Sequence, residues 1–216
     1  MRDRQLVILG TRGIPAQHGG FETFAEHLAL FLVSHGWQVT VYCQVDVGTG
    51  VTESEWQGVR LVNIPVQKQG AAGTVLFDLR SVWHARQAEG LILTLGYNTA
   101  IFSLLHRLYG QKNVMNMDGI EWRRDKWSLP EKAWLYLNEW AGARLANHLV
   151  ADHPAIKAHL QRHTRSSKIT MIPYGADKVA EADPGILDQY GLVPGGYFIV
   201  VARPEPENSL YEIVAA

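Results

Sequence analysis

Leu6-Val7-Ile8-Leu9-Gly10-Thr11-Arg12-Gly13-Ile14-Pro15-Ala16-Gln17-His18-Gly19-Gly20 decides the fold. Its first four residues read as a short strand, buried by composition. The loop that follows carries four glycines and an arginine. Apolar residues then recur at Phe21, Phe24, Ala25, Leu28, Phe31 and Leu32. That is helical spacing, and it predicts a helix over 21–34. A strand that turns through glycines into a helix can present backbone N–H groups to an anion, and the helix N-terminus adds partial positive charge. Glycine has no Cβ, so a phosphate or a sugar can come close. The spacing is not G-x-G-x-x-G, and no Gly-Lys-Ser/Thr follows as in a P-loop. The alternative is a long βα loop whose glycines serve only its turns. Open α/β sheets do place ligands at the carboxyl ends of their strands.

Strands and helices alternate onward from this opening. Strands are expected at 37–43, 59–65, 91–95, 113–117, 148–151 and 168–172, with helices at 74–87, 99–109, 130–145 and 154–163. This rhythm predicts an α/β fold: a Rossmann-like, mostly parallel sheet with helices on both faces. Near the C-terminus, Asp183-Pro184-Gly185 and Val193-Pro194-Gly195-Gly196 punctuate a linker-like stretch with a short helix at 186–190. Residues 197–202 read as a new buried strand, and 209–216 as the start of a helix. A lone strand and half a helix cannot cover their own apolar faces. The expected organisation is therefore one domain over 1–192 and the start of a second α/β domain at 193–216. The uncovered tail is also an expected route to a homo-oligomer, since strand edges invite pairing between chains.

Composition narrows the function classes. The 216 residues are 47% hydrophobic with a net charge of −1, which supplies a core and argues against a nucleic-acid partner held by bulk electrostatics. A single cysteine, Cys43, excludes a disulfide framework and reads as a small core residue. No apolar run approaches the ~20 residues of a membrane span. The short apolar run after Met1-Arg2-Asp3-Arg4 leads into glycines rather than a cleavage site. A cytoplasmic protein is expected.

Several residues carry candidate chemistry. Arg12, inside the glycine loop, can bind a phosphate or a sugar carboxylate bidentately, or cap nearby carbonyls. His18 can donate to a sugar hydroxyl or act near a leaving group, or form a local backbone bond. Glu22 reads as a complement to the helix dipole. Asp118 stands at the carboxyl end of a central strand, followed by Glu121, Trp122 and Arg123. Carboxylates accept sugar hydroxyl protons, and an indole packs on the apolar face of a pyranose. Capping of the following helix is the alternative for part of this cluster. Asp152 before Pro154 reads as a helix N-cap. Trp83, Trp134, Tyr136 and Trp140 sit on helices, where packing is the usual role of an aromatic. The 130–145 helix also carries Lys132 and Arg144, a basic-aromatic face suited to a membrane surface, against which Glu131 and Glu139 count.

Gly10-Thr11-Arg12-Gly13-Ile14-Pro15 with His18-Gly19-Gly20-Phe21-Glu22-Thr23-Phe24 resembles the N-terminal domain of family 4 glycosyltransferases. The likeness is to the bacterial branch that includes rhamnosyltransferases of surface-polysaccharide assembly. Asp118-Gly119-Ile120-Glu121-Trp122-Arg123, Val150-Ala151-Asp152-His153 and Ile172-Pro173-Tyr174-Gly175-Ala176-Asp177 agree with it. The resemblance implies a two-domain GT-B fold and transfer of a sugar from a nucleotide-sugar donor to a glycan or lipid-linked acceptor, with retention of configuration. It implies no cofactor and no metal ion. Residues 1–192 would bind the acceptor and 193–216 would open the donor domain. His18 and Asp118 would be catalytic. Gly19, Gly20 and Arg203 would contact the donor, and Arg12, Glu121, Trp122 and Arg123 the acceptor. A lipid-linked acceptor would bring the protein to the inner face of the membrane. Asn208 stands where many relatives carry a phosphate-binding lysine. A non-catalytic nucleotide- or glycan-binding module and a GT-B sugar-nucleotide epimerase are the alternatives.

Overall fold

A computed structural model describes residues 4–17, 19–68, 70–176, 178–202, 204 and 208–216. The chain divides into two compact units, Met1–Pro173 and Tyr174–Ala216.

The first unit is an eight-stranded sheet in the order β3-β4-β2-β1-β5-β6-β7-β8. Its strands are β1 (Gln5–Leu9), β2 (Gln38–Val45), β3 (Thr52–Trp56), β4 (Val59–Pro65), β5 (Leu91–Leu95), β6 (Lys112–Asn116), β7 (His148–Ala151) and β8 (Ile169–Met171). All neighbours pair in parallel except β3, which pairs antiparallel with β4. Its helices are α1 (Gly20–Ser34), α2 (Gly70–Ala85), α3 (Ser103–Leu108), α4 (Leu129–Leu145) and α5 (Pro154–Leu160). The predicted α/β class and the parallel Rossmann-like sheet are what forms.

The period-2 geometry of a strand sorts each one's side chains between two cores. Leu6 and Ile8 of β1, with Val39, Val41 and Cys43 of β2, pack beneath α1 with Ala25 and Ala29. Val7 and Leu9, with Tyr42, Val62 and Ile64, pack on the other face with Phe77 and Val82 of α2. A third core joins Met115 of β6 and Leu149 of β7 to Ala143 of α4 and Leu160 of α5. Both faces of the central strands are covered, which is why they read as unbroken apolar runs. Each fully buried Ile or Leu contributes roughly 1.5–3 kcal/mol. Gly142 lets α4 lie close on the sheet, because a Cβ there would come 2.8 Å from Met115 Sδ and 3.2 Å from Ala100 Cβ.

Two readings change. β3 (Thr-Glu-Ser-Glu-Trp) was not expected; it is an exposed edge strand turned back onto β4 through Gln57 and Gly58. In the second unit, α6 (Gly185–Asp188) and α7 (Leu210–Ala215) form where short helices were expected. The strand expected over 197–202 does not form. A parallel strand exists only through a hydrogen-bonded neighbour, and the described residues of this unit include no other strand.

Candidate functional site

The chain leaves β1 for β2 on one side of the sheet and later crosses to β5 on the other. The strand order therefore reverses between β1 and β5, and their carboxyl ends flank the crevice where open α/β sheets bind ligands. The glycine loop follows β1. Gly96 and Tyr97 follow β5, and Asp118 follows β6, the next strand over. An open cleft of about 610 Å³ lies at the opposite, amino-terminal edge, lined in part by Gln5, Gln38, Tyr42 and His84. It lies away from the switch point.

The glycines of the loop have different duties. Gly10 (φ +82°) sits where a Cβ would collide with the Leu95 carbonyl oxygen, and Gly13 (φ +125°) where it would come 2.8 Å from Cys43 Sγ. These two fold the loop onto β5 and β2. Gly19 (φ +100°) is the N-cap of α1 and offers no side-chain cap. Gly20 has no positive φ, and a Cβ there meets open space. Both Gly19 and Gly20 are exposed.

The loop amides are not all free for an anion. The Arg12 N–H donates to Glu22 Oε1 at 2.9 Å, and the Thr11 hydroxyl donates to the same oxygen at 3.3 Å. The Ala16 N–H donates to Glu26 Oε2 at 2.5 Å. Two carboxylates of α1 thus hold the loop, and the Arg12 and Ala16 amides are not open to an anion. Glu22 does more than complement the helix dipole. The Arg12 carbonyl accepts from the Gln44 N–H at 2.9 Å. With its backbone pinned on both sides, Arg12 leaves its side chain exposed, without an ion pair among the described residues.

The second cluster forms where β6 ends. Asp118 takes a left-handed conformation (φ +52°), and its N–H donates to Asn116 Oδ1 at 3.1 Å. Aspartate tolerates that region because its short side chain bonds locally. Burial pushes the Asp118 carboxyl above the usual carboxylate range; the nearby charges of Glu121 and Asp152 add to this, while the Gly119 N–H and Arg124 oppose it. Asp152 directly follows β7, the strand next to β6. It is not the N-cap of α5: His153 is, with Nδ1 accepting from the Ala155 N–H at 3.1 Å.

Glu121 and Trp122 are built into the loop as braces. Glu121 accepts from Arg124 at 3.1 Å on one oxygen and from the Trp127 indole at 3.3 Å on the other. Its N–H donates to the buried Tyr97 hydroxyl at 2.7 Å. Burial, with the charges of Glu139, Glu121 and Asp118, holds that phenol well above the tyrosine range. The Trp122 indole donates to Glu139 Oε2 at 2.9 Å. The Arg123 guanidinium lies 5.1 Å over the ring, and Tyr136 meets it edge-on at 5.4 Å. Each Glu121 oxygen thus accepts one bond from within the loop, and Trp122 is wedged between Arg123, Tyr136 and Glu139. Arg123 itself is exposed. His18 and Arg203 lie outside the described residues.

The family described as "Domain of unknown function (DUF1972)" matches residues 3–177. The chain belongs to this family. The DUF1972 region contains every candidate site residue except Arg203. No curated protein matches. Among solved structures, the catalytic domain of starch synthase IV from Arabidopsis thaliana, bound to ADP and acarbose, superposes with a TM-score of 0.56 at 12% identity. That match covers 81% of this chain and 52% of the other. An E. coli structure described as trehalose-6-phosphate bound with UDP-2-fluoro glucose gives 0.56 at 12%, covering 86% and 53%. A UDP-N-acetylglucosamine 2-epimerase gives 0.52 at 15%, covering 88% and 55%. The chain thus spans about half the length of these structures. Its fold is the Rossmann-like fold shared by these GT-B proteins.

Three site features of the DUF1972 domain escape its sequence. Asp78 of α2 accepts from the Thr99 hydroxyl at 2.7 Å, and burial pushes its carboxyl up to about 6. Tyr97 and Glu139 are buried polar groups contacting the Asp118 loop. Each depends on a partner 17 to 24 residues away, beyond the reach of local spacing.

Proposed function

We propose that this chain is the acceptor-binding domain, with the start of the donor domain, of a retaining GT-B glycosyltransferase that moves a sugar from a nucleotide-sugar to a glycan or lipid-linked acceptor. The observation that carries the reading is one crevice bordered by the first turn of α1, open at Gly20, the end of β5 and the raised carboxyl of Asp118. The two neighbours solved with ADP or a UDP-sugar support it. The Gly20 side admits the donor's diphosphate or sugar. Asp118 receives the acceptor hydroxyl, and its raised carboxyl makes it a stronger proton acceptor than an ordinary carboxylate. Catalysis then rests on positioning and on stabilising the leaving diphosphate. His18, Arg12, Arg123 and Arg203 keep the roles the resemblance implies. No cofactor and no catalytic metal enters the transfer. Rhamnose as the transferred sugar, and a role in bacterial surface-polysaccharide synthesis, come from the resemblance alone.

Placement at the cytoplasmic face of a membrane fits α4. Among the described residues no helix is long and apolar enough to cross a membrane. Yet α4 exposes Leu129, Trp134, Tyr136, Leu137 and Trp140, with Arg144 stacked 4.5 Å over Trp140. Glu139, which counted against this idea in the sequence, is buried, and Glu131 is drawn back onto Ser128.

The test is incubation of the protein, with its natural downstream sequence where it has one, with a panel of nucleotide-sugars and glycan or lipid-linked acceptors. Transfer with retained configuration is expected. No transfer and no donor hydrolysis across the panel overturns the reading. Epimerisation of the donor without an acceptor would favour the second reading, which the epimerase among the structural matches supports.

A further inference from the structure

Helix α4 buries a glutamate, Glu139, whose side chain is only 2% exposed. Its Oε1 lies 2.8 Å from His159 Nε2 and 3.3 Å from His163 Nε2. The three ligand atoms all fall within 4.8 Å of one another. The two imidazoles are four residues apart, one on the last turn of α5 and the other in the turn that closes it. That spacing puts them on the same face. Their side chains are 9% and 16% exposed, so the cluster meets solvent at one edge only.

We infer that Glu139, His159 and His163 form a binding site for a divalent transition-metal ion, zinc above all, that ties α4 to the end of α5. The donor set is right: two imidazole nitrogens and a carboxylate oxygen are ligands that zinc accepts at about 2.0–2.2 Å. Bonds of that length on a tetrahedron separate the donor atoms by about 3.3 Å, close to the 2.8 and 3.3 Å from Glu139 Oε1 to the two imidazoles. The carboxylate also has an outer partner. Glu139 Oε2 accepts the Trp122 indole N–H at 2.9 Å, the kind of second contact that orients a ligating carboxylate. To bind the ion, each imidazole carries its proton on Nδ1 and turns the Nε2 lone pair inward. The metal-free alternative keeps the protons on Nε2, donating to Glu139. The ion is structural and takes no part in the proposed transfer. Through Glu139 and Trp122 it would steady the loop that carries Asp118.

The test is titration of the chelator-treated protein with Zn²⁺ and with Co²⁺. Wild type should bind one ion saturably, with micromolar or tighter affinity, gain thermal stability and show the visible absorption of tetrahedral Co²⁺. His163→Ala and His159→Ala should each weaken binding by about tenfold or more and lose the thermal gain. His27→Ala, on the exposed side of α1, should change neither. Circular dichroism before loading confirms that each variant is folded, and His163→Ala, at the more exposed position, carries the test if His159→Ala unfolds. No saturable binding in wild type, or binding that His163→Ala leaves unchanged, overturns the site.

Discussion

Alanine at Gly10 and at Gly20 should have opposite consequences. At Gly10 the backbone is left-handed, and a Cβ runs into the Leu95 carbonyl, which belongs to a paired strand and cannot swing aside. The left-handed region costs an L-residue roughly 1–2 kcal/mol, and forcing a methyl into a packed site typically adds about 1–3. Gly10→Ala should therefore lose about 2–5 kcal/mol. At about 2–4 °C per kcal/mol for a chain of this size, that is a melting temperature lower by roughly 4–20 °C. At Gly20 nothing lies within 4 Å of the added methyl and φ is not positive. The residue opens α1, where alanine is a better helix former by at most about 1 kcal/mol. Gly20→Ala should melt at or slightly above wild type. In the proposed enzyme it should still lower transfer by about tenfold, roughly 1.4 kcal/mol in the barrier, because the methyl stands where the donor approaches. Thermal melts and transfer rates on both variants decide the matter. If Gly20→Ala melts as low as Gly10→Ala, or transfers at the wild-type rate, the division into structural and ligand-facing glycines is wrong.

Asp78 should make stability depend on pH. Its carboxyl is raised in the fold, so the folded state holds the proton more tightly than the unfolded chain. Stability from this group is present below the ordinary value of 3.8 and is lost as pH rises through about 6. That displacement is worth at most about 3 kcal/mol. Asp78→Asn, whose amide oxygen can still accept from Thr99, should gain up to that much at pH 8 and flatten the pH 4–6 slope in urea melts; an unchanged slope refutes it. Asp118→Asn should lower kcat/KM for the acceptor by about tenfold or more while leaving nucleotide affinity within about twofold; equal losses in both would place Asp118 on the donor side. Gly142→Ala should cost about 1–3 kcal/mol by overpacking Met115 and Ala100, read from urea midpoints, and a neutral result would mean that α4 can lift from the sheet.

The central strands were legible because a parallel sheet buries both faces, so 59–65, 91–95 and 148–151 form with the expected bounds. β3 was not, because an exposed edge strand with glutamates carries no apolar alternation. The run 197–202 misled for the opposite reason: it has strand composition but no neighbouring strand among the described residues of its unit. The glycine loop and Asp118 could be placed at strand ends from the βαβ rhythm alone. What accepts the loop's amides could not, since Glu22 and Glu26 reach back ten residues from the helix. The roles of Glu121 and Trp122 turned on Tyr97, Trp127 and Glu139, which only tertiary packing brings to them. The His159/His163 spacing was visible in the sequence, but it acquires meaning only when Glu139 arrives from another helix.

The claim that the crevice at the ends of β1, β5 and β6 receives a nucleotide-sugar can be tested on this chain directly. Amide NMR spectra of the ¹⁵N-labelled protein would be followed while a panel of nucleotide-sugars is added to about 10 mM, enough to populate a complex of millimolar affinity, about −4 kcal/mol. The account predicts saturable shifts that centre on Gly19, Gly20 and Phe21 at the start of α1 and reach Gly96 and Gly119, and that Gly20→Ala abolishes. No shift there with any nucleotide-sugar, or shifts that centre instead on Gln5, Gln38 and His84 at the opposite edge, would contradict it.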